Sequence, residues 1–314
     1  MRRIRIILLS ALCTLFFALT ANAQELINQA IEFYNKGAAA VQARSWATAL
    51  NEFDQALAIT EKLEEEEAAE MTEKMKDLIP SLYLYLGQEL AQATKIDEAL
   101  VQLNKAIETA QKYDDPGTTA AQAKRLIDQL NMSVATALYN DRKYEEAIAA
   151  FGKVLEANPE NGTVHMYIGV SQNALGNEAE GIASLEKSVE LGIKEAERLL
   201  VNIYVRKAAA DQTARRWNDV YANAEKALVY DPDNLNGNKL MGAAAFELRR
   251  WDAAITAYER VLPLESNPDN THYNLARAYE GRGNKAKACE HYRKIVNNAT
   301  FKEFAEAKVK ELCN

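Results

Sequence analysis

The sequence predicts an all-α protein assembled from stacked antiparallel helix hairpins, on three observations. A phrase recurs: "YEEAIAAFGKVLEANPEN" at 144–161 returns as "WDAAITAYERVLPLESNPDN" at 251–270. Each runs aromatic, small residue, then an aromatic four positions on, with an acidic exit ending in proline. Following that bulky position along the chain gives Phe53, Leu103, Phe151, Leu185, Ala224, Tyr258 and Tyr292, at intervals of 50, 48, 34, 39, 34 and 34. A repeat of this length is one supersecondary unit that buries its apolar face only by stacking on its neighbours. The composition agrees: 48 % hydrophobic residues suffice for a packed core, and only 6 prolines interrupt 314 residues rich in Ala, Leu, Glu and Lys.

The chain opens "MRRIRIILLSALCTLFFALTANAQ". Arg2, Arg3 and Arg5 precede an apolar run, Ile6 to Leu19, of 14 residues, short of the roughly 20 that span a membrane. Small residues at Ala21 and Ala23 fit cleavage before Gln24, so residues 1–23 are expected to be a signal peptide. Cys13 follows Leu12 where lipid attachment wants a small residue. The expected location is outside the cytoplasm, in the periplasm, with possible outer-membrane association only through a partner. No membrane span is expected after signal removal. Losing the three arginines takes the formal charge from −8 to −11. An acidic surface repels phosphate backbones and anionic lipid, so nucleic acid is not an expected partner.

Small residues stand four positions before the bulky ones: Ala49, Ala99, Ala147, Gly181, Ala254 and Ala288, with Val220 the exception. Gly37, Gly87, Gly169 and Gly242 take a matching slot in the preceding helices. Gly242 and Ala254 are expected to face each other across a hairpin, with Trp251 and Tyr258 filling the wedge beside them. The first-helix pattern reads Tyr83-x-x-Leu86-Gly87 and His272-x-x-Leu275-Ala276-x-x-Tyr279, and Pro159, Pro232 and Pro268 follow second helices. From about residue 27 to 296 the chain resembles the tetratricopeptide repeat family. The resemblance implies a right-handed α-solenoid with first helices along a concave groove. Val220 and Ala224 depart from the pattern and mark atypical packing in the fifth unit.

Three segments exceed 34 residues. In 61–81, Ala68, Met71, Met75 and Leu78 form one stripe with charges opposite, so the extra length reads as helix. "DDPGTT" at 114–119 is a break before a long helix to about Tyr139. Five extra residues near 207–217 are placed in a lengthened first helix or its turn. The expected organisation is extended, taller hairpins over 24–131, regular units over 132–296, and a capping helix over 297–314 with an apolar stripe of Phe301, Phe304, Ala305 and Val309. Cys289 and Cys313 are the cysteines remaining after the signal. In an oxidising compartment they are expected to form a disulfide pinning the cap; two separate buried thiols are the alternative.

No catalytic motif is present, so no enzyme activity and no cofactor are expected. The histidines are His165, His272 and His291. His165 and His272 hold a large-residue slot of their units and are read as packing. Cys289, His291, Cys313 and His272 lie near one end, but Cys289 and His291 point about 200° apart on a helix, which opposes a shared metal site. The acids Glu64 to Glu67 read as a solvated helix face. By register, the candidate groove residues are Met132, Thr136, Tyr139, Met166, Val170, Asn173, Lys239, Phe246, Tyr273 and Arg277. Lys239 and Asn274 fit two positions of the set with which some family members grip a terminal carboxylate, but Ala243 stands where that set wants Asn. The expected function is a non-catalytic protein–protein adaptor of the cell envelope that binds a peptide or protein segment. The alternative is a periplasmic chaperone or assembly factor. A homodimer through the N-terminal hairpins is a further expectation.

Overall fold

The computed structural model describes residues 23–115 and 117–313; the expected signal peptide lies, but for Ala23, outside the described residues. The helices are α1 (23–42), α2 (Trp46–Thr60), α3 (Glu66–Gln92), α4 (Ile96–Lys112), α5 (Thr119–Asn140), α6 (Tyr144–Ala157), α7 (Gly162–Ala174) and α8 (Glu178–Glu190). There follow α9 (Lys194–Thr213), α10 (Trp217–Tyr230), α11 (Leu235–Glu247), α12 (Trp251–Val261), α13 (Asp269–Gly281), α14 (Lys285–Lys294) and α15 (Lys302–Leu312). A short 3₁₀ turn, Leu262–Leu264, continues α12. No strand occurs among the described residues. Consecutive helices pair and stack, so the fold is an all-α solenoid. The chain forms two compact units, 1–137 and 138–314, divided within α5.

The turns inside the hairpins share one geometry. After each first helix a single residue is left-handed: Arg44, Thr94, Arg142, Gly176, Arg215, Arg249 or Gly283. The amides around it then return to the helix end, as when Arg44 N–H reaches Val41 O and Ser45 N–H reaches Ala40 O, each within 3.0 Å. This satisfies carbonyls that the helix end would otherwise leave open. Between hairpins, Asn161 and Asn234 cap α7 and α11, accepting from Val164 N–H at 3.2 Å and Gly237 N–H at 2.9 Å.

The small residues act differently from a simple backbone-to-backbone crossing. Gly169 and Gly181 do oppose each other closely: a Cβ on either would lie 2.9 Å from the other's carbonyl oxygen. At Gly169, with Leu185 at 2.7 Å, and at the other hairpins the bulky second-helix residue also fills the glycine's place. A Cβ on Gly37, Gly87 or Gly242 would collide with Phe53, Leu103 or Tyr258, at 2.6, 2.7 and 2.7 Å. Gly242 thus faces Tyr258 rather than only Ala254, because a ring fits the space that a missing side chain leaves.

In the unit 1–137 the extra length goes into first helices rather than into both arms. α3 has 27 residues against 15 in α2 and 17 in α4. The added half of α3 packs on α2: Met75 joins Leu50, Phe53 and Leu57, and buried Thr72 donates to Thr60 at 2.6 Å. Leu84, Leu103, Ala106 and Ala123 continue the core into α4 and α5.

In the unit 138–314, Phe151 stacks on Tyr167 with ring centroids 5.2 Å apart. α9 reaches 20 residues where α7, α11 and α13 have 13. Here Val220 and Ala224 reverse the usual small-then-large order, and both bury fully beside Ala208 and Ala244. The buried Asp211 carboxylate at the end of α9 accepts from Arg216 and, at 2.8 Å, from Asn223. α15 covers the last hairpin: Ala305 and Leu312 join Ala288, Tyr292 and Ile295. Lys308 donates to Glu280 at 2.6 Å, and Cys289 is bonded to Cys313.

Candidate interaction face

The first helices of the unit 138–314 present the candidate site. α9 and α11 lie in contact, and α11 reaches α13 through side chains. Along α11, Lys239 and Phe246 are seven apart and share a face. On α13, Tyr273 and Arg277 are four apart and do the same. The exposed Arg277 guanidinium lies 4.5 Å from the Phe246 ring centroid and 5.5 Å from that of Tyr273. Cation–π attraction to both rings fixes it without consuming its hydrogen-bonding edge. No ion pair of Arg277 with a carboxylate forms among the described residues. Tyr273 is itself backed by Phe301, stacked at 4.6 Å, and by Phe304 at 5.7 Å.

Lys239 is held by its own chain. Its amine pairs with Glu265 at 2.5 Å, and Thr271 Oγ1 donates to the same carboxylate. Burial pushes the Glu265 carboxyl up, but Lys239 and Thr271 outweigh it and the carboxyl stays below its ordinary value. Next to Lys239 a recess of about 320 Å³ opens between α9 and α11, lined also by Val205, Ala209, Gln212, Asn236 and Leu240. Sequence reasoning did not reach these residues. The 39-residue interval breaks the register through α9, although the spacing of Val205, Ala209 and Gln212 marks one helix face.

The other candidates go elsewhere. Tyr139 meets Tyr167 edge-on at 4.9 Å and Tyr144 at 6.0 Å; burial, then these neighbours, raises its phenol pKa. Met166 and Val170 pack on the core of Leu185, Leu200 and Ile203. Asn173 donates to Gly169 O on its own helix at 2.8 Å, leaving its buried Oδ1 without a partner. Met132 and Thr136 belong to the other unit, where Thr136 Oγ1 donates to Met132 O at 2.8 Å. The structure therefore brings Phe246, Tyr273 and Arg277 together, with Lys239 on the same helix face as Phe246.

His165 contacts Pro159 O through Nε2 at 2.9 Å. Among the described residues, no group of three or more His, Cys, Asp or Glu is placed to hold a metal ion. No described helix is long and apolar enough to cross a membrane.

Repeated hairpins with a first-helix face of aromatic, cationic and apolar side chains define a helical-repeat protein of the interaction-scaffold class. Residues 135–196 and 239–303 match the family described as Tetratricopeptide repeat. Among solved structures, MamA is similar at 21 % identity, over 56 % of this chain and 93 % of its own, with a TM-score of 0.35. YrrB, described as a tetratricopeptide-repeat protein with an unusual peptide-binding site, is similar at 16 % identity, over 58 % and 91 %, with a TM-score of 0.34. Pseudomonas aeruginosa PilF is similar at 15 % identity, over 74 % and 99 %, with a TM-score of 0.32. No curated protein matches the chain.

Proposed function

We propose that the protein is a non-catalytic scaffold of the cell envelope that binds a segment of another protein along the first-helix face of residues 138–314. The observation that carries this reading is Arg277, exposed and held between Phe246 and Tyr273 with no ion pair of its own among the described residues. A charged group fixed in advance loses little freedom on binding, so it offers a partner carboxylate or carbonyl a ready donor. The recess beside Lys239 adds apolar side chains and amides, a mixture that suits an extended or helical peptide. Export is supported by the basic, then apolar, then small-residue start of the chain, and a cysteine pair bonded near the C-terminus suits an oxidising compartment.

A photo-crosslinking residue at Tyr273, in intact cells, tests the reading. Capture of one envelope protein supports the adaptor. Capture of many unrelated chains would favour the chaperone instead. Val229 on α10, 72 % exposed, is the counter-probe: capture there and not at Tyr273 overturns the face assignment. Fractionation of the same cells tests the periplasmic location, and light scattering on the secreted chain tests the homodimer.

A further inference from the structure

Two histidines of the last hairpin meet head-on. His272 on α13 and His291 on α14 place their Nδ1 atoms 3.0 Å apart. His291 is 9 % exposed, and Tyr279 stacks on it at 5.6 Å with ring planes 13° apart. A hydrogen bond between two Nδ1 atoms needs one N–H and one bare lone pair. It therefore forms with both rings neutral or with one charged, never with both charged. Double protonation would turn two N–H groups and two like charges against each other in a half-buried place.

The charged groups acting on the pair do not rescue that state. From α13 comes Asp269, which already accepts from Asn298 at 2.7 Å. From α12 comes Glu259, which accepts from Tyr279 at 2.6 Å. From α14 come Glu290, paired with Lys287 at 2.9 Å, and the cations Lys287 and Lys294. On α15, Lys308 is tied to Glu280 and Glu311. Burial first, then cationic neighbours, lowers both histidine pKa values; for His291 the neighbour is His272.

We propose that the His272–His291 pair makes the C-terminal hairpin and its cap an acid-labile module, closed while the pair is uncharged or singly charged and loosened when the second ring takes a proton. The sign follows from linkage. A histidine whose folded pKa lies below its ordinary 6.5 contributes stability that is present above 6.5. That stability is lost as pH falls through the folded value, because the unfolded chain binds the proton more readily. Cys289, two residues from His291, stays bonded to Cys313, so α15 loosens without leaving. This inference is independent of the binding reading, since its measurement needs no ligand.

Amide hydrogen exchange on the full secreted chain tests it, comparing about pH 7.5 with about pH 5.5 after correction for intrinsic rates. Protection of α13, α14 and α15 is expected to fall by up to about tenfold for each ring over this interval, because pH 5.5 lies about one unit below the ordinary histidine value, while α7 and α8 hold. The double variant His272→Gln/His291→Gln is expected to remove the pH dependence. Histidine-resolved NMR on the unaltered protein checks the same point without a substitution: the pair should titrate as two coupled steps below 6.5. Independent titration of both rings at or above 6.5, or an acid loss of protection spread equally over α7 and α8, overturns the proposal.

Discussion

Tyr258 occupies the place where Gly242 lacks a side chain: a Cβ on Gly242 would lie 2.7 Å from Tyr258 Cε1 and 2.8 Å from Cζ. The ring is 4 % exposed and anchored in the core of the sixth and seventh hairpins, so it has little room to retreat. Gly242→Ala is expected to destabilise by about 1–3 kcal/mol through overpacking, although alanine favours helix by about 1 kcal/mol. Gly152 is the control. It lies in α6 with nothing within 4 Å of its missing Cβ, so Gly152→Ala is expected to stabilise by about 0.5–1 kcal/mol. Urea unfolding of the two variants should move the midpoint in opposite directions.

Thr94 is a β-branched residue at φ 62° in the α3–α4 turn, where the equivalent positions of two other hairpins are Gly176 and Gly283. The left-handed conformation costs an L-residue about 1–2 kcal/mol, and glycine escapes that cost while losing more backbone freedom on folding. Thr94→Gly is expected to gain about 0.5–1 kcal/mol net. Gly176→Thr, at φ 86°, should lose about 1–2 kcal/mol. Denaturant midpoints read both; a loss of stability in Thr94→Gly would refute the strain argument.

The hairpins were legible in the sequence because small and bulky residues recur at fixed offsets, and each offset has a physical counterpart, as at Gly37 with Phe53 or Gly87 with Leu103. The interaction face was only partly legible. Register names the helix face of Met166, Val170 and Asn173, yet it cannot say that the neighbouring hairpin covers the first two or that Asn173 turns back to Gly169 O. The Arg277 arrangement joins residues 31 apart through rotamers that no spacing encodes. The recess beside α9 was hidden because the long fourth interval, of 39 residues, shifts the repeat there. The left-handed turns escaped for a different reason: five of the seven carry Arg or Thr instead of glycine, so the usual signal is missing.

The Cys289–Cys313 bond closes a span of 24 residues between α14 and the end of α15. Such a loop is expected to contribute about 2–4 kcal/mol. α15 is held on the last hairpin by Ala305, Leu312 and the Lys308–Glu280 pair. Cys313→Ser is therefore expected to raise hydrogen exchange in α15 well before the other hairpins of residues 138–314 unfold. A uniform loss of protection across that unit, with no preference for α15, would contradict this.

Arg277 and Lys239 make opposite predictions although both are cations on the same face. Lys239 neutralises Glu265, whose side chain is 11 % exposed, so Lys239→Ala strands a half-hidden carboxylate and is expected to lower stability by about 1–3 kcal/mol. Part of that loss should vanish at low pH. The Glu265 pKa is held below its ordinary 4.5, so its contribution is present above 4.5 and disappears as acid protonates the carboxyl. Arg277 pairs with no carboxylate among the described residues, so Arg277→Ala should cost about 1 kcal/mol or less, the worth of its contacts with Phe246 and Tyr273. Its effect should fall on binding instead: affinity for the partner captured at Tyr273 is expected to drop at least about tenfold, the scale of one charge-assisted hydrogen bond. Arg277→Lys should recover little, because an ammonium lacks the planar edge that the two rings hold in place. Calorimetric titration alongside thermal unfolding separates the cases. Unchanged affinity in Arg277→Ala would remove this face from the binding surface.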